Sequence, residues 1–214
     1  MLIPPTVTDS LVKLQAWMKT NAADVVFQPP ANPTVLDNFS EKSGLTLPKD
    51  LQELLLAANG ETRKSAGAIG NWRIMSITEI QAAWGWLSQL AVKGVFAEGT
   101  PEPSPYIRAA WWHPGWIPFV SNDQGDYYCI DTDPPEPKRA GQVLLFFQEQ
   151  PARPLVGPSL AAWLDRIIHD LYNGIYTYNE VEGFIGEAFL WSSLEGKHLL
   201  DGIEGKLIVK NDEG

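Results

Sequence analysis

The hydrophobic pattern changes along the chain, from a helical repeat in the first 60 residues to strand-like alternation from Trp116 onward. A helical repeat buries one stripe of a helix, whereas alternation buries one face of a strand, so neither pattern suits the other structure. The apolar run between residues 142 and 148 is continuous, which is typical of a strand covered on both faces. Helices followed by antiparallel strands and a further helix predict an α+β fold with one central sheet.

Local signals predict five helices, whose starts and ends are marked by capping residues. Thr8 or Asp9 is expected to cap the first helix, and Gly44 to end the second in the left-handed conformation. Ser76 and Glu79 have the spacing of a capping box ahead of the fourth helix. The remaining boundaries are expected at Asn32-Pro33, Pro48, Asn59-Gly60, Pro158 and Gly174.

Strands are predicted at residues 71–75, 116–120, 126–131, 142–148, 155–156 and 207–209. The strand at 126–131 puts Tyr127, Cys129 and Asp131 on one side of the sheet, and Tyr128 and Ile130 on the other. Residues 92–105 contain three prolines and no hydrophobic period, which predicts a long surface excursion. No repeat or linker is visible, so we expect one domain over residues 1–174, with residues 175–214 as a C-terminal extension packed on it.

The charge balance of the chain limits its partners. Sixteen Lys and Arg against 26 Asp and Glu give a formal net charge of −10. Binding to nucleic acid or to anionic lipid needs a basic surface, so we expect neither nucleic acid nor membrane as a partner. A positively charged protein would be steered toward the chain instead. These patterns leave the oligomeric state unknown.

Cysteine usage and apolar runs indicate the compartment. Cys129 is the single cysteine, which excludes an intramolecular disulfide and fits a reducing environment. No apolar run approaches the ~18 residues of a membrane span. The segment that begins at Met1 lacks the basic and apolar stretches of a secretory signal. These features predict a cytoplasmic protein.

Patterns typical of catalysis or cofactor binding are scarce. The sequence has no nucleophile elbow, no HExxH zinc motif, no phosphate-binding Walker loop and no dinucleotide fingerprint. Cys129 lies in the middle of a strand without basic neighbours that would lower its pKa, so we expect a small core residue. We therefore expect no enzyme and no cofactor. One enzymatic alternative stays open, a hydrolase that uses His113 with an acidic partner, and it would require His113, Asp126 and Asp131 to converge in one pocket.

Five acidic residues lie close together in the sequence: Asp123, Asp126, Asp131, Asp133 and Glu136. Carboxylates can hold Ca²⁺ or Mg²⁺, but a strand separates Asp126 from Asp133 by about 20 Å, at roughly 3.3 Å per residue. One ion cannot bind both, so we expect no metal, although a pair of Asp131 with Asp133 stays open. The other hypotheses are local capping of backbone N–H groups and a negative edge that contacts a partner.

Nine tryptophans are an unusual number for 214 residues. Trp84, Trp116 and Trp163 have helix or strand spacing and are expected in the core. Trp111 and Trp112 are adjacent, and neighbours in an extended segment point in opposite directions, so one of them is expected near the surface. An exposed indole could anchor a protein interface or stack on a sugar, which leaves a carbohydrate-binding module as a further alternative.

Several segments, taken in their order, resemble one known family. They are the Leu-Pro helix 47–55 with its Asn59-Gly60 stop, Trp112-x-x-x-Trp116-Ile117-Pro118-Phe119, Gly125-Asp126-Tyr127 through Pro134, Gly141-Gln142-Val143, and Pro158-Ser159-Leu160-x-x-Trp163-Leu164. Over about residues 33–174 the chain resembles the SUKH superfamily, in its Smi/Knr-type branch. The superfamily is named partly for a fungal cell-wall-assembly regulator.

The resemblance implies an α+β domain whose curved sheet presents a cleft to partners and to which no catalytic residues are ascribed. Bacterial members are regarded as immunity proteins that neutralise toxins, and fungal members act as scaffolds in cell-wall signalling. We therefore predict a non-catalytic protein-binding domain, an immunity protein whose partner is a cognate toxin such as a basic nuclease. The alternative is a regulatory or scaffold protein related to cell-wall assembly.

The contact surface is expected around an aromatic residue and four acidic ones: Trp112, Asp126, Asp131, Asp133 and Glu149. Many relatives have a His-Asp or similar polar pair where this chain has Gln148-Glu149. If that pair contacts partners, the specificity of this chain differs from theirs.

Overall fold

The computed structural model describes residues 6–22, 24–64, 67–70, 72–102, 104–179 and 183–185. Its helices are α1 (Val7–Asn21), α2 (Pro33–Ser43), α3 (Lys49–Ala57), α4 (Ile77–Val92) and α5 (Leu160–Tyr172). Its strands are β1 (Arg73–Ile74), β2 (Trp116–Ser121), β3 (Tyr127–Asp131), β4 (Gln142–Phe146), β5 (Leu155–Gly157), β6 (Thr177–Asn179) and β7 (Gly183–Ile185). The predicted α+β fold is confirmed.

Strands β1 to β5 form one sheet in the order of the sequence, and every neighbouring pair is antiparallel. Loops join β2 to β3, β3 to β4 and β4 to β5, because antiparallel neighbours need no crossover helix, whereas α4 lies between β1 and β2 in the chain. The register shifts between Pro118 and Val120 and again between Val143 and Leu144. Irregularities of this kind bend and twist a strand.

The sheet has a hydrophobic core on each face. Tyr128, Ile130 and Val143 belong to a large core together with residues of α1, α2, α3 and α5. Cys129 and Leu144 belong to a second core with Leu87 of α4 and with Trp112 and Ile107. The prediction that strand 142–148 is covered on both faces is confirmed, since every residue of β4 is buried.

The helix caps are confirmed with one correction. Thr6 caps α1, and its Oγ1 accepts a hydrogen bond from the Asp9 backbone N–H. Thr8 and Asp9 were therefore wrong as caps, because both lie inside the first turn, where the Asp9 carboxylate accepts from the Thr6 hydroxyl. Gly44 ends α2 at φ +70°, and Ser76 with Glu79 forms the expected capping box of α4.

The predicted surface excursion, residues 92–105, has no buried residue among those that the structure describes, whereas residues 106–115 pack on the sheet. Ile107 and Trp112 from this segment fill the second core, where each is 4% exposed. The Trp111 indole Nε1 donates to the Gln148 carbonyl at 3.1 Å, and the Gln142 side-chain Nε2 donates to the Tyr106 carbonyl at 2.8 Å. The segment thus covers the second face of the sheet, a role that its irregular sequence did not predict.

Arg153 anchors the same segment from inside the protein. The residue is 6% exposed, and its guanidinium donates to the backbone carbonyls of Trp111, Gln150 and Ala152. It also lies over the rings of Trp111 and Phe146, at 5.1 and 4.5 Å from their centroids. Burial lowers the pKa of Arg153 to about 10, because the charged form is partly removed from water.

Replacing Arg153 by methionine is expected to lower the free energy of unfolding by about 2–3 kcal/mol. Methionine fills part of the space of the buried arginine but leaves the carbonyls of Trp111, Gln150 and Ala152 without this donor, and a buried group left unsatisfied costs about 1–3 kcal/mol. Urea unfolding followed by circular dichroism measures the loss. Arg63→Met is the matched control, since the Arg63 side chain is 79% exposed and should have almost no effect. Equal stability of both variants would show that the buried guanidinium does not hold the segment.

Residues after α5 begin with a small hairpin in which β6 pairs with β7. Tyr176 is 2% exposed and belongs to the large core, and the Tyr178 hydroxyl donates to the Asp24 carboxylate. The predicted strand at 207–209 lies outside the described residues. None of the described helices combines the length and the apolar character that crossing a bilayer requires.

Candidate partner-binding site

The structure distributes the five predicted contact residues over three places. Asp131 and Asp133 lie at one end of β3, next to its connection to β4. Asp126 lies at the opposite end of β3, near Glu149, which follows β4. Trp112 lies in the second core. One surface cannot include all five, and their role in binding stays a prediction.

Trp112 is a core residue rather than an exposed anchor. Its ring packs edge-on against Trp116 and Phe146, with centroids 5.9 and 5.2 Å apart, and its Nε1 donates to the Ser88 hydroxyl at 3.2 Å. The expectation that one indole of the pair lies nearer the surface is met by Trp111, which is half-buried. The choice of Trp112 as that residue was wrong, because the segment covers the sheet and turns this indole inward.

Asp131 is fully buried, so it does not offer an exposed carboxylate. Its Oδ1 accepts from the Asp133 backbone N–H at 3.0 Å, and its Oδ2 accepts from Gln142 Nε2 at 2.9 Å. Burial raises the pKa of Asp131, and these hydrogen bonds offset part of that shift. The geometry matches the capping hypothesis for Asp131, whose role in binding stays a prediction.

Asp133 and His113 form a pair beside Asp131. The Asp133 carboxylate is exposed and accepts from Arg108 at 2.8 Å, which lowers its pKa. His113 Nε2 lies 3.6 Å from Asp133 Oδ2, and its Nδ1 accepts from the Gly115 backbone N–H. Burial lowers the pKa of His113 and outweighs the opposite effect of Asp133, so the neutral imidazole is favoured.

The hydrolase alternative required His113, Asp126 and Asp131 in one pocket. Asp126 and Asp131 lie at opposite ends of β3, so the three residues do not converge. The Asp126 carboxylate instead accepts from the Gln148 backbone N–H and the Asn122 side-chain amide, both at 2.9 Å, and so holds the turn between β2 and β3. Among the described residues, no group of three or more His, Cys, Asp and Glu is placed to hold a metal ion.

A groove of about 370 Å³ opens between α4 and the turn that joins β2 to β3. We call it the α4 groove, and it is lined by Arg63, Arg73, Met75, Thr78, Glu79, Ala82, Ala83, Trp86, Ser121, Asp123, Gly125 and Tyr127. Trp86 is 48% exposed at this groove, which is unusual for so large an apolar side chain. Exposed tryptophan is enriched at the anchor positions of protein interfaces, so this groove is the best candidate for a contact site.

An ion-pair network forms the polar wall of the α4 groove. Arg73 is 4% exposed and donates to Glu79 at 3.2 Å and to Asp123 at 3.0 Å. Burial opposes the charge on Glu79, but hydrogen bonds from Ser76 and Arg73 outweigh it and lower the pKa of Glu79. Arg63 lies 3.4 Å from the same carboxylate. The network keeps these groups charged and fixes the groove wall.

The opposite rim of the α4 groove combines Tyr127 with the turn before β3. Burial raises the pKa of Tyr127, and Cys129, Asp123 and Asp126 raise it further. Asp123 adopts φ +58°, a left-handed conformation that Asp and Asn tolerate better than most residues. This backbone conformation places the Asp123 side chain at the rim, where it is 59% exposed.

A second cleft of about 400 Å³ lies at the other end of the sheet, between the N-termini of α3 and α5. Lys49, Thr132 and Ser159 contribute polar groups to it. The Asp50 carboxylate accepts from the Ala161 backbone N–H at 3.3 Å, so an internal carboxylate already occupies the start of α5. This cleft has no exposed aromatic anchor among the residues that line it.

A family model described as the SMI1 / KNR4 family (SUKH-1) matches residues 30–166. The chain is 26% identical over 194 residues to the "Cell wall biosynthesis/cell cycle regulator smi1" of Schizosaccharomyces pombe, with 83% of the chain and 38% of that protein covered. It is 23% identical over 212 residues to the "Glucan synthesis regulatory protein" of Neurospora crassa, with 81% and 40% covered. The chain thus spans about two fifths of the length of these relatives.

Proposed function

Because the chain belongs to the SMI1 / KNR4 family (SUKH-1), we propose that it is a regulatory domain of cell-wall synthesis that acts by binding a protein partner. The observation that supports this most is the similarity over about four fifths of the chain to two fungal proteins named as regulators of cell-wall or glucan synthesis. The sequence alone favoured an immunity protein, and these names favour the alternative, a regulator or scaffold.

The geometry supports binding rather than turnover. The exposed Trp86 indole borders a groove, whereas His113, Asp126 and Asp131 do not assemble into one site. The chain has a net charge of −10, which favours a basic partner through faster association. A regulator that acts by occupancy needs such a surface and no reactive side chain.

A chimaeric protein tests the proposal. The region of Schizosaccharomyces pombe smi1 that matches this chain is replaced by the chain, and the strain is compared with one in which that region is deleted. The readouts are resistance to wall-digesting enzymes and β-glucan content, and we expect the chimaera to match the intact strain in each readout that separates the intact strain from the deletion. A second chimaera carries Gly60→Ala, a change expected to disrupt folding. It shows whether an inserted chain of the same length restores the phenotype without being folded.

A chimaera that is folded and abundant, yet behaves like the deletion, would contradict the proposal. The immunity hypothesis then has its own test, growth of cells that express the toxin encoded beside the gene, with and without this chain. Rescue of growth together with failure of the chimaera would favour immunity over cell-wall regulation.

A further inference from the structure

We propose that the α4 groove binds a basic segment of the partner, with an arginine or lysine side chain lying over the Trp86 indole and its charge at Asp123. This inference rests on the proposed function in one respect, that the partner is a protein. It adds the site on this chain and the chemistry that the site recognises.

The aromatic part of the groove suits a cationic side chain. Trp86 is 48% exposed and Tyr127 is half-buried, so both rings present surface to the groove. A guanidinium or ammonium group is attracted to the face of an aromatic ring, and tryptophan is the best of the three aromatic residues for this contact. The aliphatic stem of the same side chain can pack on Ala82 and Ala83, which line the groove beside Trp86.

The charges of the groove leave one carboxylate oxygen for the ligand. Both oxygens of Glu79 accept from groups of the protein, namely Arg63, Arg73 and Ser76. Asp123 uses Oδ1 for Arg73, whereas no contact engages its Oδ2 within the described part of the chain. A cation at the rim would therefore find Asp123 available, with Asp126 close enough to affect the neighbouring Tyr127.

Arg63 is the feature that opposes this assignment and also makes it testable. Its side chain is 79% exposed at the same groove, so it repels a cationic ligand and would attract an acidic one. Removing the Arg63 charge must therefore change the affinity in opposite directions for the two kinds of partner. The net charge of −10 on the whole chain favours the basic partner.

The experiment uses the full chain labelled with ¹⁵N at tryptophan and titrated with a capped hexa-arginine peptide. Trp86→Phe identifies the indole N–H resonance of Trp86 by its loss from the spectrum. We expect hexa-arginine to shift this resonance at physiological salt, and a capped hexaglutamate peptide to leave it in place. Since the tryptophans of the core are buried, their indole signals should move less.

Variants then locate the binding on the groove. Trp86→Ala and Asp123→Asn are each expected to weaken hexa-arginine binding by about three- to fivefold, from the size of exposed cation–π and ion-pair contacts. Arg63→Gln is expected to tighten it by about twofold or more. Asp37→Asn is the matched control for Asp123→Asn, because it removes one exposed carboxylate from α2, outside the groove. Asparagine also suits the left-handed backbone at position 123.

Three results would overturn the inference. They are no shift of the Trp86 resonance, a preference for hexaglutamate together with weaker binding after Arg63→Gln, and equal losses from Asp37→Asn and Asp123→Asn. Equal losses would mean that hexa-arginine binds through the overall negative charge of the chain and not at the α4 groove. The two proposals can fail separately. If hexa-arginine binds the α4 groove as described but the chimaera behaves like the deletion, the cell-wall function is refuted and the binding site is retained.

Discussion

Replacing Gly60 by alanine is expected to lower the free energy of unfolding by about 2–5 kcal/mol. Gly60 has φ +74°, and an added Cβ would lie 2.5 Å from both the Met75 carbonyl carbon and the Ser76 nitrogen. A left-handed conformation costs a residue with a side chain roughly 1–2 kcal/mol, and overpacking typically adds 1–3 kcal/mol. The contacted atoms belong to the backbone, so they cannot move aside as a flexible side chain can.

Gly44→Ala is the matched control for this prediction. Gly44 has nearly the same backbone angle, φ +70°, but no atom lies within 4 Å of the added Cβ. It should therefore lose only the conformational part, about 1–2 kcal/mol. Urea unfolding of both variants measures the difference, and absence of folded Gly60→Ala alongside folded Gly44→Ala would agree with it. Equal losses would mean that the close approach at Gly60 is relieved elsewhere.

The reason for the close approach lies in the contacts around Gly60. Asn59 Oδ1 accepts from the Ile77 backbone N–H, and the Glu61 N–H donates to the Ile74 carbonyl, both at 2.9 Å. The segment after α3 thus packs directly on the segment between β1 and α4. The sequence predicted only that Asn59-Gly60 ends a helix, because the tertiary contact involves residues about 15 positions away.

Elements that depend on neighbouring residues were predicted well. The capping box of α4, the left-handed end of α2 and the two-faced strand β4 follow from side chains within one turn or one strand. Interactions over such short separations are visible in a single sequence, since spacing alone decides which groups meet. The antiparallel order of β2, β3 and β4 followed as well, because strands that a short loop joins pair in that way.

Residues that depend on distant contacts were misplaced. Trp112 was expected at the surface, but Ser88 and Phe146 enclose it from two other elements. The segment that contains it is held by Arg153, whose carbonyl partner Trp111 is 42 residues away. The sequence has no local signal for a long-range anchor of this kind, and an irregular, proline-containing segment looks the same whether it is exposed or packed.

The α4 groove shows how far sequence reasoning could have gone. Trp84 was predicted on the buried stripe of α4, and two positions along a helix lead to a different face, so Trp86 could have been recognised as an exposed indole. The charged wall of the groove could not have been recognised from the sequence, because Arg73 and Asp123 are 50 residues apart and meet only through the pairing of β1 with β2. Candidate anchors can therefore be found from spacing, whereas the site around them needs the fold.

Replacing Asp131 by lysine is expected to lower the free energy of unfolding by about 3–5 kcal/mol, whereas Asp133→Lys should leave the melting temperature close to that of the parent. Asp131 is fully buried and accepts two hydrogen bonds, so lysine would place an unpaired charge in the interior and remove one of the two acceptors of the Gln142 amide. The Asp133 side chain is 54% exposed, so the ammonium group of a lysine at this position would be solvated and would not enter the core.

Thermal and urea unfolding of the two variants separate the capping hypothesis from the hypothesis of a negative contact edge. A stable, monodisperse Asp131→Lys protein would contradict the burial of this carboxylate and return Asp131 to the list of surface residues. Gln142 also donates to the Tyr106 carbonyl, so loss of Asp131 should loosen residues 106–115 as well as β3. If Asp131 holds this segment through Gln142, the backbone amides of the segment should exchange hydrogen faster in Asp131→Lys but not in Asp133→Lys.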